Sequence, residues 1–197
     1  MEFLDAMKKR RSRYDISCDS TLSDQHIEEL LKEAITYTPS AFNSQSSRVI
    51  LLLGEAHQKL WSIVMETLRG IVPAENFGGT EMKINSFAAG HGTILYYEDM
   101  ETVDSLVKAN PLYADNFPVW SHQSGGMLQY VVWTLLSQEG LGASLQHYNP
   151  LIDEKVAAEF SIPKTWKLLA QMPFGTPNSE PGELDHMPIE ERFIVKK

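Results

Sequence analysis

Two short polar stretches carry the side chains best suited to chemistry. Near the start, Lys8, Lys9, Arg10, Arg11 and Arg13 put five of the seventeen basic residues within six positions. Arg10-Arg11-Ser12, with Tyr14 just beyond, offers two guanidinium forks and a hydroxyl. That donor set can grip a phosphate through paired, charge-assisted hydrogen bonds. The same residues also fit a solvated helix face that offsets an acidic chain. Further on, Pro39-Ser40-Ala41-Phe42-Asn43-Ser44-Gln45 presents hydroxyls and two amides. Asn and Gln both donate and accept, so this loop could read the polar edge of a flat heterocycle. It could equally be a capping loop whose side chains bond their own backbone.

Other chemistries find less support. The six histidines, His26, His57, His91, His122, His147 and His186, form no HxH or HxxxH pair, so spacing gives no zinc site. No GxGxxG follows a strand-like run, and no GxxxxGK[ST] or GxSxG occurs. The single cysteine, Cys18, forbids an intrachain disulfide and any CxxC site.

Composition narrows the class. Seventeen Lys and Arg against 26 Asp and Glu leave a net charge of −9 over 197 residues. Nucleic acid is an improbable partner for such a chain, because phosphate neutralisation needs a basic face. Hydrophobic residues make up 43% and charged residues 22%, ordinary values for a globular domain. No apolar run is long enough to span a bilayer, and the charged start is unlike a secretory leader. The expectation is one cytoplasmic domain over residues 1–197 with no membrane partner.

The elements that must position the two stretches can be read from periodicity. Residues 3–12 suggest a short helix that delivers the arginines. Ser23 is an N-cap, and Ile27, Leu30, Leu31, Ala34 and Ile35 repeat at helical spacing up to Pro39. After the polar loop, Val49 to Leu53 reads as a strand buried on both faces. A helix over 56–69, a break at Gly78-Gly79, a helix over 80–89 and a strand over 93–97 follow. Residues 100–109 read as an exposed helix. The helix around 121–139 is apolar on every side, as expected of a central or shared helix. Short strands are expected at 143–146 and 166–172, a helix at 150–160, and a final strand at 192–195. Strands separated by helices imply an α+β or α/β protein, a small mixed sheet between helices.

Taken together, Arg10-Arg11-Ser12, the loop Pro39-Ser40-x-x-Asn43-Ser44-Gln45, the run Gly140-Leu141-Gly142-Ala143-Ser144-Leu145-Gln146-His147-Tyr148-Asn149-Pro150 and the late Glu191-Arg192 resemble the flavin-dependent nitroreductase family. The closest likeness is to the subgroup of copper-induced nitroreductases and fatty-acid-repression nitroreductase-like proteins. The resemblance implies an α+β, three-layer nitroreductase-like sandwich and an intertwined homodimer with two FMN molecules at its interface. It also implies that residues 176–197 form an extension embracing the partner chain.

Residue roles come with the resemblance. Arg10 and Ser12, with Arg11 beside them, match phosphate and ribityl contacts, and Arg192 matches a late arginine that reaches the phosphate. Ser40, Asn43 and Gln45 match the loop along the isoalloxazine, supplied by the partner. Gln146 and His147 match the segment whose backbone N–H points at flavin N5. Lys83 is the candidate cation near N1, with Arg48 as the alternative. The chain departs from the family where NSQPW becomes Asn43-Ser44-Gln45-Ser46-Ser47, and where Tyr14 stands at a position that often holds lysine.

The implied activity is ping-pong hydride transfer from NADH or NADPH to a nitroaromatic or quinone. A flavin-binding sensor with little turnover is the alternative. Phe42, Phe77, Phe87, Tyr113, Trp120 and Phe174 are candidates for stacking a small aromatic acceptor, and each also fits a core.

Overall fold

A computed structural model describes residues 2–197. The elements run α1 (Phe3–Lys9), β1 (Ile16–Ser17), α2 (Asp24–Tyr37), β2 (Ser47–Leu53), α3 (Gly54–Arg69), α4 (Phe77–Ala88), β3 (Gly92–Asp99), α5 (Met100–Ala109), α6 (Phe117–Gln138), β4 (Gly142–Ala143), α7 (Asp153–Glu159) and β5 (Trp166–Pro177). The sheet order is β1-β5-β3-β2, with β4 also on β5.

Two apolar cores make the sandwich. Side chains alternate across a strand, and β3 is buried along its whole length. Ile94 and Tyr96 face one way, into a core with Ile27 and Leu31 of α2 and Leu128 and Val132 of α6. Leu95 and Tyr97 face the other way, onto Leu60, Trp61 and Val64 of α3 and Ile84 and Phe87 of α4. The expected three-layer α+β arrangement is therefore present, with β3 as its central strand.

Several local expectations hold for the reasons given. Ser23 accepts from the His26 N–H at 3.2 Å and starts α2. The all-apolar helix is α6, 22 residues long and thus about 33 Å from end to end. It packs on α1, α2, β3 and the 40–45 loop, which accounts for apolar residues on every side.

Other expectations are corrected. The named strands pair antiparallel throughout, and the parallel part of the expected mixed sheet reduces to one bridge between Ser12 and Ala143. The reason is the paired helices α3 and α4, which return the chain to the end it left, so that Leu53 of β2 sits opposite Gly92 of β3. Strand β2 is covered on both faces, with Val49, Leu51 and Leu53 on one core and Ile50 and Leu52 on the other, but as an edge strand it has only Leu52 buried and the rest half-buried. Gly78 and Gly79 lie within the first turn of α4 rather than breaking the chain before it. No strand forms at 192–195, because the chain after Pro177 meets no free sheet edge. The short β1 was not expected. It pairs with the end of β5, where a Cβ on Gly175 would collide with the Ser17 carbonyl.

Candidate functional site

The end of α1 and the turn after it deliver the basic cluster. Arg13 N–H donates to the Ala143 carbonyl at 2.9 Å, and Ser12 bridges Ala143, so β4 anchors the segment. Arg10, Arg11 and Ser12 then line a cleft of about 530 Å³ whose opposite wall is the chain from Ser179 to Leu184. Arg11 Nη2 donates to the Gly182 carbonyl at 2.6 Å. Arg13 pairs with Glu180 at 3.1 Å. Arg10 has no acidic partner among the described residues. Its guanidinium lies 4.3 Å from the Trp133 ring centroid, and its buried Nε–H makes no hydrogen bond. The cleft's three arginines are balanced in number by Asp15, Glu180 and Glu183, so what suits an anion here is the buried Arg10 donor left without a partner beside the Ser12 hydroxyl.

Lys83 belongs to the same end of the molecule. Its ammonium lies 5.8 Å from the Phe87 ring, which is 6.2 Å from the ring of Tyr14 in the cleft wall. Arg48 does not. It donates from Nη2 to Asp99 Oδ2 at 2.9 Å, a carboxylate that also caps α5.

The 140–150 run places Gln146 and His147 on one side of β5. Gln146 N–H is spent on the Gln171 carbonyl at 2.7 Å, and Tyr148 N–H on Gln171 Oε1 at 2.8 Å. Between them, His147 is exposed, and no hydrogen bond among the described residues uses its backbone N–H. Of the two candidate donors, His147 is therefore the one whose backbone N–H is free, and Gln146 is not.

The second polar stretch lies elsewhere. Phe42, Asn43 and Gln45 all have positive φ, 55°, 51° and 49°, a rare conformation for non-glycine residues and a costly one for phenylalanine. Ser40 Oγ accepts from the Gln45 N–H at 2.9 Å, so this serine ties the loop to itself in the isolated chain. Asn43 and Gln45 are exposed. Phe42 stacks on Trp120, with ring centroids 5.9 Å apart and 18° between the planes, beside Tyr113 and Phe117. Pro39, Ser40, Phe42, Trp120 and Met127 line an apolar groove of about 460 Å³. Of the six candidate stacking aromatics, Phe42, Tyr113 and Trp120 gather here, whereas Phe77, Phe87 and Phe174 are core.

The two groups of site residues do not meet within one chain. Phe42 contacts Trp120 and Arg10 contacts Trp133 on the same helix, thirteen residues and so about 20 Å apart. They also lie toward opposite ends of the sheet. The loop joins β2 beside Glu98 and Asp99, while the cleft adjoins β1 and β4 near the Gly92 end of β3. Arg192 is exposed in the tail and is not part of the cleft wall.

Sequence reasoning missed the Trp133 platform and the Ser179–Leu184 wall. Trp133 sits in an all-apolar helix with no polar signal, and the wall touches Arg11 across 171 positions.

The chain is similar to known proteins in sequence and in fold. A model of the nitroreductase family matches residues 7–176. The yeast protein HBN1 of Saccharomyces cerevisiae is 32% identical over 185 residues, 92% of this chain and 91% of that one. Nitroreductase CinD from Lactococcus lactis, solved in complex with chloramphenicol, is 42% identical with a TM-score of 0.91, covering all of both chains. Further structures of that protein hold 4-nitrophenol and nicotinic acid. A protein from Desulfovibrio desulfuricans solved with FMN shares the fold, at 19% identity and a TM-score of 0.71 over 98% of this chain and 96% of that one.

Proposed function

This chain belongs to the nitroreductase family, and on that premise we propose that it is an FMN-dependent oxidoreductase that uses NADH or NADPH to reduce nitroaromatics or quinones. The observation that carries the reading is the unpaired Arg10 in the Arg10–Ser12 cleft. Two cations without carboxylate partners and a free hydroxyl suit the doubly charged phosphate of FMN. When bound, FMN supplies an atom, N5, that takes and returns a hydride, so no side-chain nucleophile or general base is required.

The chain's own residues bind, orient and stabilise. Arg10, Arg11 and Ser12 hold the phosphate and the ribityl chain, and Arg192 reaches the phosphate when the tail is docked. Lys83 holds a positive charge near N1, where negative charge collects on reduction. Arg48 is the poorer candidate for that role because Asp99 already neutralises it. His147 donates its free backbone N–H toward N5.

Ser40, Asn43 and Gln45 act from a second copy of the chain. Half-sites about 20 Å apart on α6 are completed when a dimer brings the loop of one copy over the cleft of the other. Residues 176–197 then form the extension that embraces the partner. It carries Leu184, Met187, Ile189, Phe193, Ile194 and Val195, all exposed in the single chain. Phe42, Tyr113 and Trp120 flank the place where the nicotinamide and then the acceptor lie in turn, which is the ping-pong order. The nitroaromatic complexes of CinD support that acceptor class. Among the described residues no helix is long and apolar enough to cross a membrane.

An absorbance spectrum of the purified protein, followed by anaerobic NADH, tests the reading. Flavin bands that bleach and then return on adding 4-nitrophenol or a quinone support it. Bands that persist with both NADH and NADPH favour a flavin-binding sensor. No bands after soaking in FMN refute flavin binding.

A further inference from the structure

Glu98 is a buried carboxyl that the proposed chemistry does not use. It is fully buried next to the end of β3, and neither of its carboxyl oxygens has a hydrogen-bond partner among the described residues. Its register neighbours are Ser47 on β2 and Lys167 on β5. Its carboxyl faces α6, where Oε2 would lie 3.9 Å from a Cβ placed on Gly125. The hydroxyls of α6 do not serve it. Ser121 donates to the Pro118 carbonyl and Ser124 to the Trp120 carbonyl.

The position matters because the 40–45 loop ends here. Ser46 is fully buried, and its carbonyl accepts from the Asp99 N–H at 3.0 Å. Its hydroxyl lies 3.3 Å from that of Ser44. The carboxyl of Glu98 thus fills the junction among the loop, β3 and the small-residue face of α6. Loop residues with positive φ persist only where the surroundings over-determine them, and this junction is what holds the loop's C-terminal end.

We infer that Glu98 is a positioning residue for the 40–45 loop: in its neutral form it packs the junction, and its ionisation loosens the loop. The inference rests, for its effect on flavin, on the loop's proposed role beside FMN. Burial raises the pKa of Glu98, opposed by the nearby Ser46 hydroxyl, which favours the charged form although it makes no well-formed hydrogen bond to it, and by His122 of α6 and Arg48 of β2, and aided by Asp99. A carboxyl with a raised pKa favours the folded, packed state at low pH and loses that contribution as pH rises through the raised value.

The test measures amide hydrogen exchange of residues 43–45 against pH in the full chain without flavin, corrected for intrinsic rates, and in parallel the dissociation constant for FMN. Wild-type protection should fall several-fold as pH rises, and FMN affinity should fall with it. Glu98→Gln should keep the low-pH protection and affinity at every pH. This comparison also removes the titration of FMN's own phosphate, which is common to both proteins. Gly125→Ser is the second variant. It brings a further hydroxyl beside the Glu98 carboxylate, a Cβ there meeting only Leu169 at 3.4 Å and Glu98 Oε2 at 3.9 Å, and should move the step to lower pH. An identical exchange profile in wild type and Glu98→Gln overturns the inference, as does an unmoved step in Gly125→Ser. Altered protection with unaltered FMN affinity overturns the link to flavin. Failure of every protein to bind FMN would refute the functional reading, and the exchange data would still decide the role of Glu98.

Discussion

The Arg10 guanidinium lies over the Trp133 ring, 4.3 Å from its centroid, with Tyr130 a second ring at 5.9 Å. The aromatic platform holds the cation without neutralising it, so its charge stays available to a ligand. Replacing Arg10 by alanine removes a charge-assisted phosphate contact worth roughly 1.5–3 kcal/mol. The FMN dissociation constant, from flavin fluorescence, should rise by about 10- to 100-fold. An unchanged constant would sink the assignment.

Lys83 and Arg48 separate in their consequences. Lys83→Gln should lower the flavin midpoint potential and leave thermal stability within about 0.5 kcal/mol, since the side chain is exposed. Arg48→Gln breaks the pair with Asp99 and should lower the melting temperature while leaving the potential in place. Potentiometric titration of both variants distinguishes the two roles, and the opposite pattern would reassign the N1 cation to Arg48.

Removing residues 184–197 deletes the exposed apolar tail together with Arg192. Light scattering should show the intact chain at twice 22.3 kDa and the truncated chain shifted toward monomer with weakened FMN retention. A stable monomer that keeps FMN would contradict the shared site.

Phe42 is 58% exposed despite touching Tyr113, Phe117 and Trp120. An exposed ring in a strained conformation contributes little to folding. Phe42→Ala should therefore change stability by no more than about 1 kcal/mol, while raising the KM for 4-nitrophenol more than that for NADH. Equal effects on both would mean that the ring only shapes the loop.

His57 sets an acid limit on stability. It is buried, with Nδ1 2.8 Å from Thr93 Oγ1 and Nε2 3.1 Å from the Ala88 carbonyl, and Trp61 Nε1 donates to the same threonine. Burial lowers its pKa, against the Ala88 carbonyl and with help from His91. The unfolded chain thus takes up a proton that the fold resists. The stabilisation is complete above the ordinary imidazole range and is lost as pH falls below it. His57→Gln, which can keep both hydrogen bonds, should flatten melting temperature against pH on the acid side. A curve identical to wild type would show that another group sets the limit.

The residue types of the site were legible in the sequence because local chemistry fixes them. Arginine forks, a Ser23 cap and the apolar period of α2 act over one or two turns, where spacing in sequence equals spacing in space. A sheet between helices also followed from alternating helices and strands, whereas the three-layer sandwich was implied only by the family resemblance. The apolar run of β2 was read correctly as packing on both faces, but not as an edge strand left half-buried, because an apolar run looks the same at a sheet edge as at a sheet centre. The final strand was misread because strand propensity cannot supply a neighbouring edge.

Tertiary structure decided everything that depends on distant contacts. It set Trp133 under Arg10, turned the His147 N–H free by spending that of Gln146, tied Arg48 to Asp99, and buried Glu98 without a partner. It also separated the Arg10–Ser12 cleft from the 40–45 loop by most of the length of α6. The sequence determined which groups could touch a flavin, since side-chain chemistry is local. Only the fold determined which of them one chain can bring together, since that depends on where a rigid helix and a central strand hold them.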